Sequence, residues 1–259
     1  MSNTVSDIDY APWTAWRAKD YLAEYYNDIL ADEQYALSFL CESLKRLPEV
    51  SVALDYGCGP TVHHAVALVP KAKEIYLADY LQDNLDEIQR WQDYANDAHD
   101  WSEFTRHILK LEANTAPLDS DVKKREFETS QRIKKLCQSD AGDNDPLGPD
   151  MRGYFPLVTT HYCAEGATNS KETWRIYMRN IASLVRSGGT LIVSACGAAD
   201  YYTVGKRSFP CAGVNTFDVL DCLQQNGFVD MDIRVRNVPD HSEQGYSSVI
   251  FACATKAGG

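Results

Sequence analysis

Between residues 51 and 95 the chain passes twice from a short apolar run into a helical repeat: SVALDY (51–56), TVHHAVALV (61–69), EIYLADY (74–80) and LQDNLDEIQRWQDYA (81–95). Strands separated by a helix return in the same direction, so this order builds a parallel sheet covered by helices on its faces. The alternation resumes with GYFPLVTTHY (153–162), a helix KETWRIYMRNIASLVR (171–186) stopped by Gly188 and Gly189, and the strand TLIVSAC (190–196). A short strand KKLCQ (134–138) completes five parallel strands.

The flanks are of a different kind. Residues 17 to 46 read as two helices, with apolar residues recurring every three and four positions and Pro48 ending the second. WSEFTRHILKLE and a charged stretch near 119–135 read as further helices before AGDNDPLGPD, a loop. After the helix TFDVLDCLQQNG, two β-rich runs, FVDMDIRVRNV and GYSSVIFACATK, flank the polar PDHSEQ and predict an antiparallel hairpin at the sheet edge. A length of 259 residues is compatible with one α/β domain, divided into an N-terminal helical part (1–48) and a Rossmann-like core (49–259).

The first strand ends in an acid, Asp55, and runs into Gly57 and Gly59 before a helix starts near Thr61. Glycines there let backbone amides approach a ligand at a helix N-terminus. The third glycine of a dinucleotide fingerprint is missing, with His63 and His64 in that region, so a pyrophosphate site is poorly supported. The second strand ends in LADY, placing Asp79 twenty-four residues after Asp55, where one carboxylate can accept hydrogen bonds from both hydroxyls of a ribose. A glycine turn followed by such an acid fits S-adenosylmethionine (SAM) better than a dinucleotide.

Charge narrows the partners. Lys and Arg number 25 against 37 Asp and Glu, a formal net charge of -12, which repels a polyanion. The densest basic group, Lys123, Lys124, Arg125, Arg132, Lys134 and Lys135, is interleaved with Glu126 and Glu128 at helical spacing and reads as a solvated face. Nucleic acid is therefore not an expected partner. Eight scattered cysteines without a CxxC pair or ligand-like Cys/His spacing indicate reduced, cytoplasmic usage and no metal site. No apolar run approaches the roughly 18 residues of a membrane span, and the first residues lack a secretory pattern. The oligomeric state is left open.

LDYGCGPT, LADYLQDNL, the YLAEYY helix, DNDPLG and ADYYTVGKRSF, in this order between residues 15 and 229, resemble nicotinamide N-methyltransferase and its relatives, the phenylethanolamine enzyme among them. The resemblance implies a Rossmann-like class I SAM methyltransferase fold with a seven-stranded, mostly parallel sheet, an antiparallel edge hairpin and N-terminal lid helices. It implies that Gly57 and Gly59 meet the methionyl part of SAM and Asp79 and Asn84 the ribose, with Thr61 and Tyr80 also among the cofactor-binding residues. Asp140 and Ala141 would meet the adenine, Thr160 would line the methionine end, and His63, a tyrosine in the family, would either reach the SAM carboxylate or be a plain surface histidine. Tyr21, Tyr25 and Tyr26 would lie on a helix closing over the ligand. Aromatic faces suit that role, because they stabilise a sulfonium by about 0.5–2 kcal/mol once water is excluded; packing on the core is the alternative for tyrosines at this spacing.

One departure stands out: an acid of the family's acceptor pocket is replaced by Ala195. Tyr201 and Tyr202 are retained, and Tyr26, Tyr202, Glu165 and Asp200, with His161, are the candidate groups around the reacting centre. Methyl transfer to the nitrogen of a small amine or N-heterocycle is the leading expectation, and needs mostly positioning and desolvation of an uncharged nucleophile. The alternative is a SAM cyclase of the kind found in secondary metabolism, where SAM is the substrate itself. Its own α-amino nitrogen then closes onto the γ carbon, giving azetidine-2-carboxylic acid and methylthioadenosine. A SAM-binding regulator and a dehydrogenase fit the residues less well.

Overall fold

The computed structural model describes residues 8–258. Its centre is set by β1 (Val50–Tyr56), β2 (Ala72–Asp79), β3 (Ile133–Gln138), β4 (Phe155–His161) and β5 (Val185–Gly197), each parallel to its neighbour. β4 is buried at every position, as a central strand covered on both faces must be, which is why FPLVTTH is a continuous run and not an alternation. β8 (Phe228–Asn237) and β9 (Ser248–Lys256) complete a seven-stranded sheet of order β3-β2-β1-β4-β5-β9-β8, with β9 antiparallel to both neighbours. The expected edge hairpin is therefore present, and β8 is its outer strand.

The helices are α1 (Ala18–Tyr25), α2 (Ala31–Arg46), α3 (His63–Leu68), α4 (Gln82–Gln92), α5 (Ser102–Ala113), α6 (Asp119–Arg132), α7 (Lys171–Ser183) and α8 (Thr216–Gln225). α7 and α8 begin where side chains cap them: Ser170 Oγ accepts from the Thr173 N–H, and Asn215 Oδ1 accepts from the Phe217 and Asp218 N–H groups. Trp174, Met178, Ile181, Val219 and Leu223 bury one face of the sheet, while α2, α3 and α5 cover the other with Leu37, Leu40, Val66 and Ile108.

Two elements differ from the sequence expectation. α7 ends at Ser183, because Val185 pairs with Phe155 and joins β5 five residues earlier than expected. The segment ADYYTVGKRSFP folds into a separate hairpin, β6 (Tyr201–Val204) with β7 (Arg207–Pro210). Its turn, Gly205-Lys206, has φ of +56° and +66°, the paired positive angles of a type I′ connection.

The basic group is partly internal. Arg125 forks onto both oxygens of Glu112 and also reaches the Val66 carbonyl, and Arg132 donates to the Ala72 carbonyl. These residues brace α6 against its neighbours. Among the described residues no helix is long and apolar enough to cross a membrane, and the eight cysteines form no disulfide.

Candidate active site

The chain runs outward from β1 in both directions, through β2 and β3 on one side and β4 and β5 on the other. Connections diverging from adjacent strands leave a crevice beyond their carboxyl ends. Tyr56, Asp79 and His161 all end strands at this edge, and a cavity of about 220 Å³ opens there.

One wall is the turn after β1. Gly57 has φ of +70°, and a Cβ there would lie 2.0 Å from Cys163 Sγ, so both the backbone angle and the space require glycine. Thr61 Oγ1 holds the turn by donating to the Cys58 carbonyl at 2.8 Å. The Asp79 carboxylate accepts from the Gly59 N–H at 2.8 Å, the Leu81 N–H at 2.9 Å and the Asn84 amide at 2.9 Å. Burial pushes its pKa up and these donors oppose the shift. Tyr80, half exposed, lies at the mouth.

At the far end the loop after β3 supplies Ser139, Asp140 and Ala141. Tyr56 and Ser139 share a hydroxyl hydrogen bond of 2.8 Å, and Asn180 of α7 donates to the Ala141 carbonyl at 2.8 Å. Trp13, Trp16, Tyr21 and Tyr26 cover the cavity from the N-terminal side.

A second, smaller cavity of about 60 Å³ adjoins the first, and Tyr21, Tyr26, Tyr162 and Tyr202 line both. Its polar groups are acids: Asp32 and Glu33 from α2 and Glu165 from the turn after β4, with Tyr25, Tyr246, Cys196 and Cys211 between them. The Glu165 carboxylate accepts from the Cys196 N–H at 3.0 Å, and burial pushes its pKa up to about 7 against that hydrogen bond. Burial also raises Asp32, opposed by Tyr246, whose hydroxyl donates to it at 2.6 Å, and by His241. α1 is clasped to the β6–β7 hairpin. The Tyr25 hydroxyl donates to the Thr203 carbonyl at 2.9 Å, and Glu24 accepts from the Thr203 hydroxyl at 2.7 Å and the Gly205 N–H at 2.8 Å.

Most of the expected site residues meet at these cavities. Gly57, Gly59, Thr61, Asp79, Tyr80, Asn84, Asp140, Ala141 and His161 line the larger one, Glu165 and Tyr25 the smaller, and Tyr21, Tyr26 and Tyr202 both. Three do not. His63 is fully buried behind the wall, with its ring stacked on Trp101 and its Nε2 2.9 Å from Glu33; helical rotation gives the cavity to His64 instead. Thr160 is buried in β4 outside both linings, since its neighbours His161 and Tyr162 take the exit of the strand. Asp200 is exposed and lies outside both cavities.

The departure at Ala195 also reads differently in three dimensions. Its side chain packs into the apolar layer under α7 and α8, and the next residue, Cys196, faces the smaller cavity. Acids reach this cavity from α2 and from Glu165, so an alanine at 195 does not leave it without carboxylates. Sequence spacing gave no ligand-like cluster, yet the fold gathers Glu33, Asp55, His63, His64 and His161 in the buried wall between the cavities. Asp32, Glu33 and His64 are functional candidates that the sequence did not single out.

Strand order, glycine turn and the Asp79 bracket define a class I SAM-dependent methyltransferase scaffold. A likeness of fold agrees: the N-methyltransferase NodS from Bradyrhizobium japonicum, solved in complex with S-adenosyl-L-homocysteine, matches with a TM-score of 0.56 at 11% identity over 93% of this chain and 99% of that one. Within that class the chain belongs to the NNMT/PNMT/TEMT family, whose model matches residues 5–257. It is 27% identical to indolethylamine N-methyltransferase of Oryctolagus cuniculus and 26% to nicotinamide N-methyltransferase of Homo sapiens, each over 81% of both chains. To phenylethanolamine N-methyltransferase of Homo sapiens it is 24% identical over 79% of this chain and 73% of that protein.

Proposed function

We propose that this chain transfers the methyl group of SAM to the nitrogen of a small amine or N-heterocycle. The observation that carries the reading is the paired cavity: a larger one built around Asp79 and the glycine turn, joined at shared tyrosines to a smaller one bearing three buried carboxylates. Asp79 would hold the ribose, Tyr56, Asp140 and Ala141 the adenine end, and Gly57, Gly59 and His64 the methionyl end. When bound, SAM supplies a methyl group on a positively charged sulfur.

The protein's share is electrostatic and geometric. Tyr21, Tyr26 and Tyr202 present aromatic surface where the two cavities meet, which favours a sulfonium and excludes water around it. Asp32, Glu33 and Glu165 draw a basic nitrogen into the smaller cavity and orient it. The N-terminal helices, among the described residues up to 48, act as a lid over a single domain; residues 1–7 of the expected helical part lie outside the described residues. Cysteines free of disulfides among the described residues support a reducing, cytoplasmic setting.

The small acceptor cavity favours a second reading, in which SAM is its own acceptor and closes to azetidine-2-carboxylic acid. One experiment separates the two. Incubation with SAM alone, and with SAM plus a panel of small amines and N-heterocycles, is followed by mass spectrometry. Amine-dependent S-adenosylhomocysteine supports methyl transfer, and methylthioadenosine without an acceptor supports cyclisation. Neither product in either arm refutes both.

A further inference from the structure

We propose that Glu33, backed by His63 and His64, is the proton acceptor for the amine nitrogen that attacks the sulfonium. The inference rests on the reading above only in requiring an amine nucleophile, which methylation and cyclisation share.

Glu33 lines the smaller cavity and is buried. Its Oε1 lies 2.9 Å from His63 Nε2 and 3.4 Å from His64 Nε2. His64 Nδ1 faces Asp55 Oδ2 at 3.8 Å, and the other oxygen of Asp55 accepts from the Thr159 hydroxyl at 2.8 Å. The His64 ring also stacks on His161 at 3.8 Å, and His161 Nδ1 is 2.8 Å from Ser194 Oγ. The chain of polar groups thus runs from the wall of the smaller cavity to the wall of the larger one, which His64 and His161 line.

A purely structural buried network saturates its members, because an unpaired polar atom away from water costs about 1–3 kcal/mol. This one does not: among the described residues His63 Nδ1, His161 Nε2 and Asp55 Oδ2 have no hydrogen-bond partner, and His64 Nε2 has only the Glu33 oxygen at 3.4 Å. Nor does the arrangement suit a metal ion at His64 and His161. Their rings lie nearly parallel, 23° apart and face to face, whereas ligation directs both lone pairs, in the ring planes, at one point.

What the cluster has is a carboxylate held in its ionised, proton-accepting form. Burial works against ionised Glu33, but His63 and His64 override it and hold its carboxyl below the ordinary range. His161 is pushed well down, first by burial and then by the neighbouring histidines. Other titratable groups facing the cluster are Asp32 beside Glu33 on α2, Asp79 opposite Asp55, His107 on α5, and Tyr26 and Tyr162.

An aliphatic amine reaches the site as an ammonium ion, with a pKa comparable to the ~10.4 of lysine, and has no lone pair to offer. Its N–H proton passes to the Glu33 carboxylate. The freed lone pair then forms the N–C bond as the S–C bond breaks, with that bond's electrons remaining on sulfur. The proton returns to solvent between turnovers.

The test is the pH dependence of kcat at saturating SAM and nucleophile, following whichever product the wild-type protein makes. In the wild type, kcat is expected to change by less than about threefold from pH 6.5 to 8.5, the span in which Glu165 of the same cavity, its pKa raised to about 7, also titrates. A rise of about tenfold per pH unit, tracking the free-base fraction of the amine, would overturn the proposal and needs no variant. Glu33→Gln and His64→Gln are expected to lower kcat at least tenfold at pH 7, with the deficit shrinking as pH rises and SAM affinity changing less than twofold. Deficits equal at every pH, or accompanied by loss of SAM binding, would make the cluster structural and overturn the role. Wild-type protein that forms neither product removes the amine chemistry itself, and the proton acceptor with it.

Discussion

The indole N–H of Trp16 donates to Asn84 Oδ1 at 2.9 Å, while the amide of the same asparagine donates to Asp79. An N-terminal residue is thereby wired, through an asparagine sixty-eight positions away in the chain, to the carboxylate assigned to the ribose. Trp16 also packs edge-on against Tyr202 and Phe209, so one ring spans the cavity roof from α4 to the β6–β7 hairpin.

Trp16→Phe keeps most of that ring packing and deletes the donor. The expected result is a loss of roughly 1 kcal/mol, about fivefold, in SAM affinity by calorimetric titration. An unchanged Kd would show that Asn84 holds Asp79 without help from the N-terminal segment.

Asp79→Ala is expected to weaken SAM binding by at least ~100-fold, since hydrogen bonds to a charged acceptor contribute about 1.5–3 kcal/mol each. It also leaves three protein donors without their acceptor, so the melting temperature falls while the fold persists. Near-normal affinity in the folded variant would refute the ribose assignment.

Tyr26 is both wall and core. Its ring lies 5.1 Å from His63, 5.5 Å from Trp101 and 5.7 Å from Phe104, and it is almost fully buried. Tyr26→Ala is expected to cost about 3 kcal/mol of stability as well as turnover. Tyr26→Phe keeps the packing and should separate the two, and a Phe variant as unstable as the Ala variant would place the effect in the hydroxyl.

Glu165 gives stability a pH dependence. Its pKa is raised from 4.5 to about 7 by burial, so between these values the folded protein binds more protons than the unfolded chain. Its contribution is full below about 4.5 and is lost as pH rises through about 7, roughly 3 kcal/mol at ~1.4 kcal/mol per unit. Glu165→Gln does not titrate, so the variant should gain in melting temperature relative to wild type between pH 5 and pH 8. A difference that stays constant with pH would show that Glu165 is ionised in the fold throughout.

The sheet was legible because its strands are short apolar runs bounded by glycine and acid, and Asp79 and Gly57 because their positions follow from strand ends. The acids of the smaller cavity were not. Asp32 and Glu33 sit in the first turn of α2, where acids favour a helix dipole whether or not they face a ligand, and only the packing of α2 against α3, β5 and β9 buries them. His63 and His64 are adjacent in a short buried helix, and which of the two meets the cavity depends on a rotation that sequence periodicity over six residues cannot fix. The β6–β7 hairpin carried a usable signal, the Gly-Lys pair between YYTV and RSFP, but its strands are too short for alternation to stand out.

Tyr21, Tyr26, Tyr162 and Tyr202 belong to both cavities at once. Redesigning the enzyme for a bulkier acceptor by trimming this partition would therefore also erode the grip on the donor. The independent handles for altering specificity are Asp32, Glu165, Cys196 and Cys211, which border the smaller cavity and not the larger one.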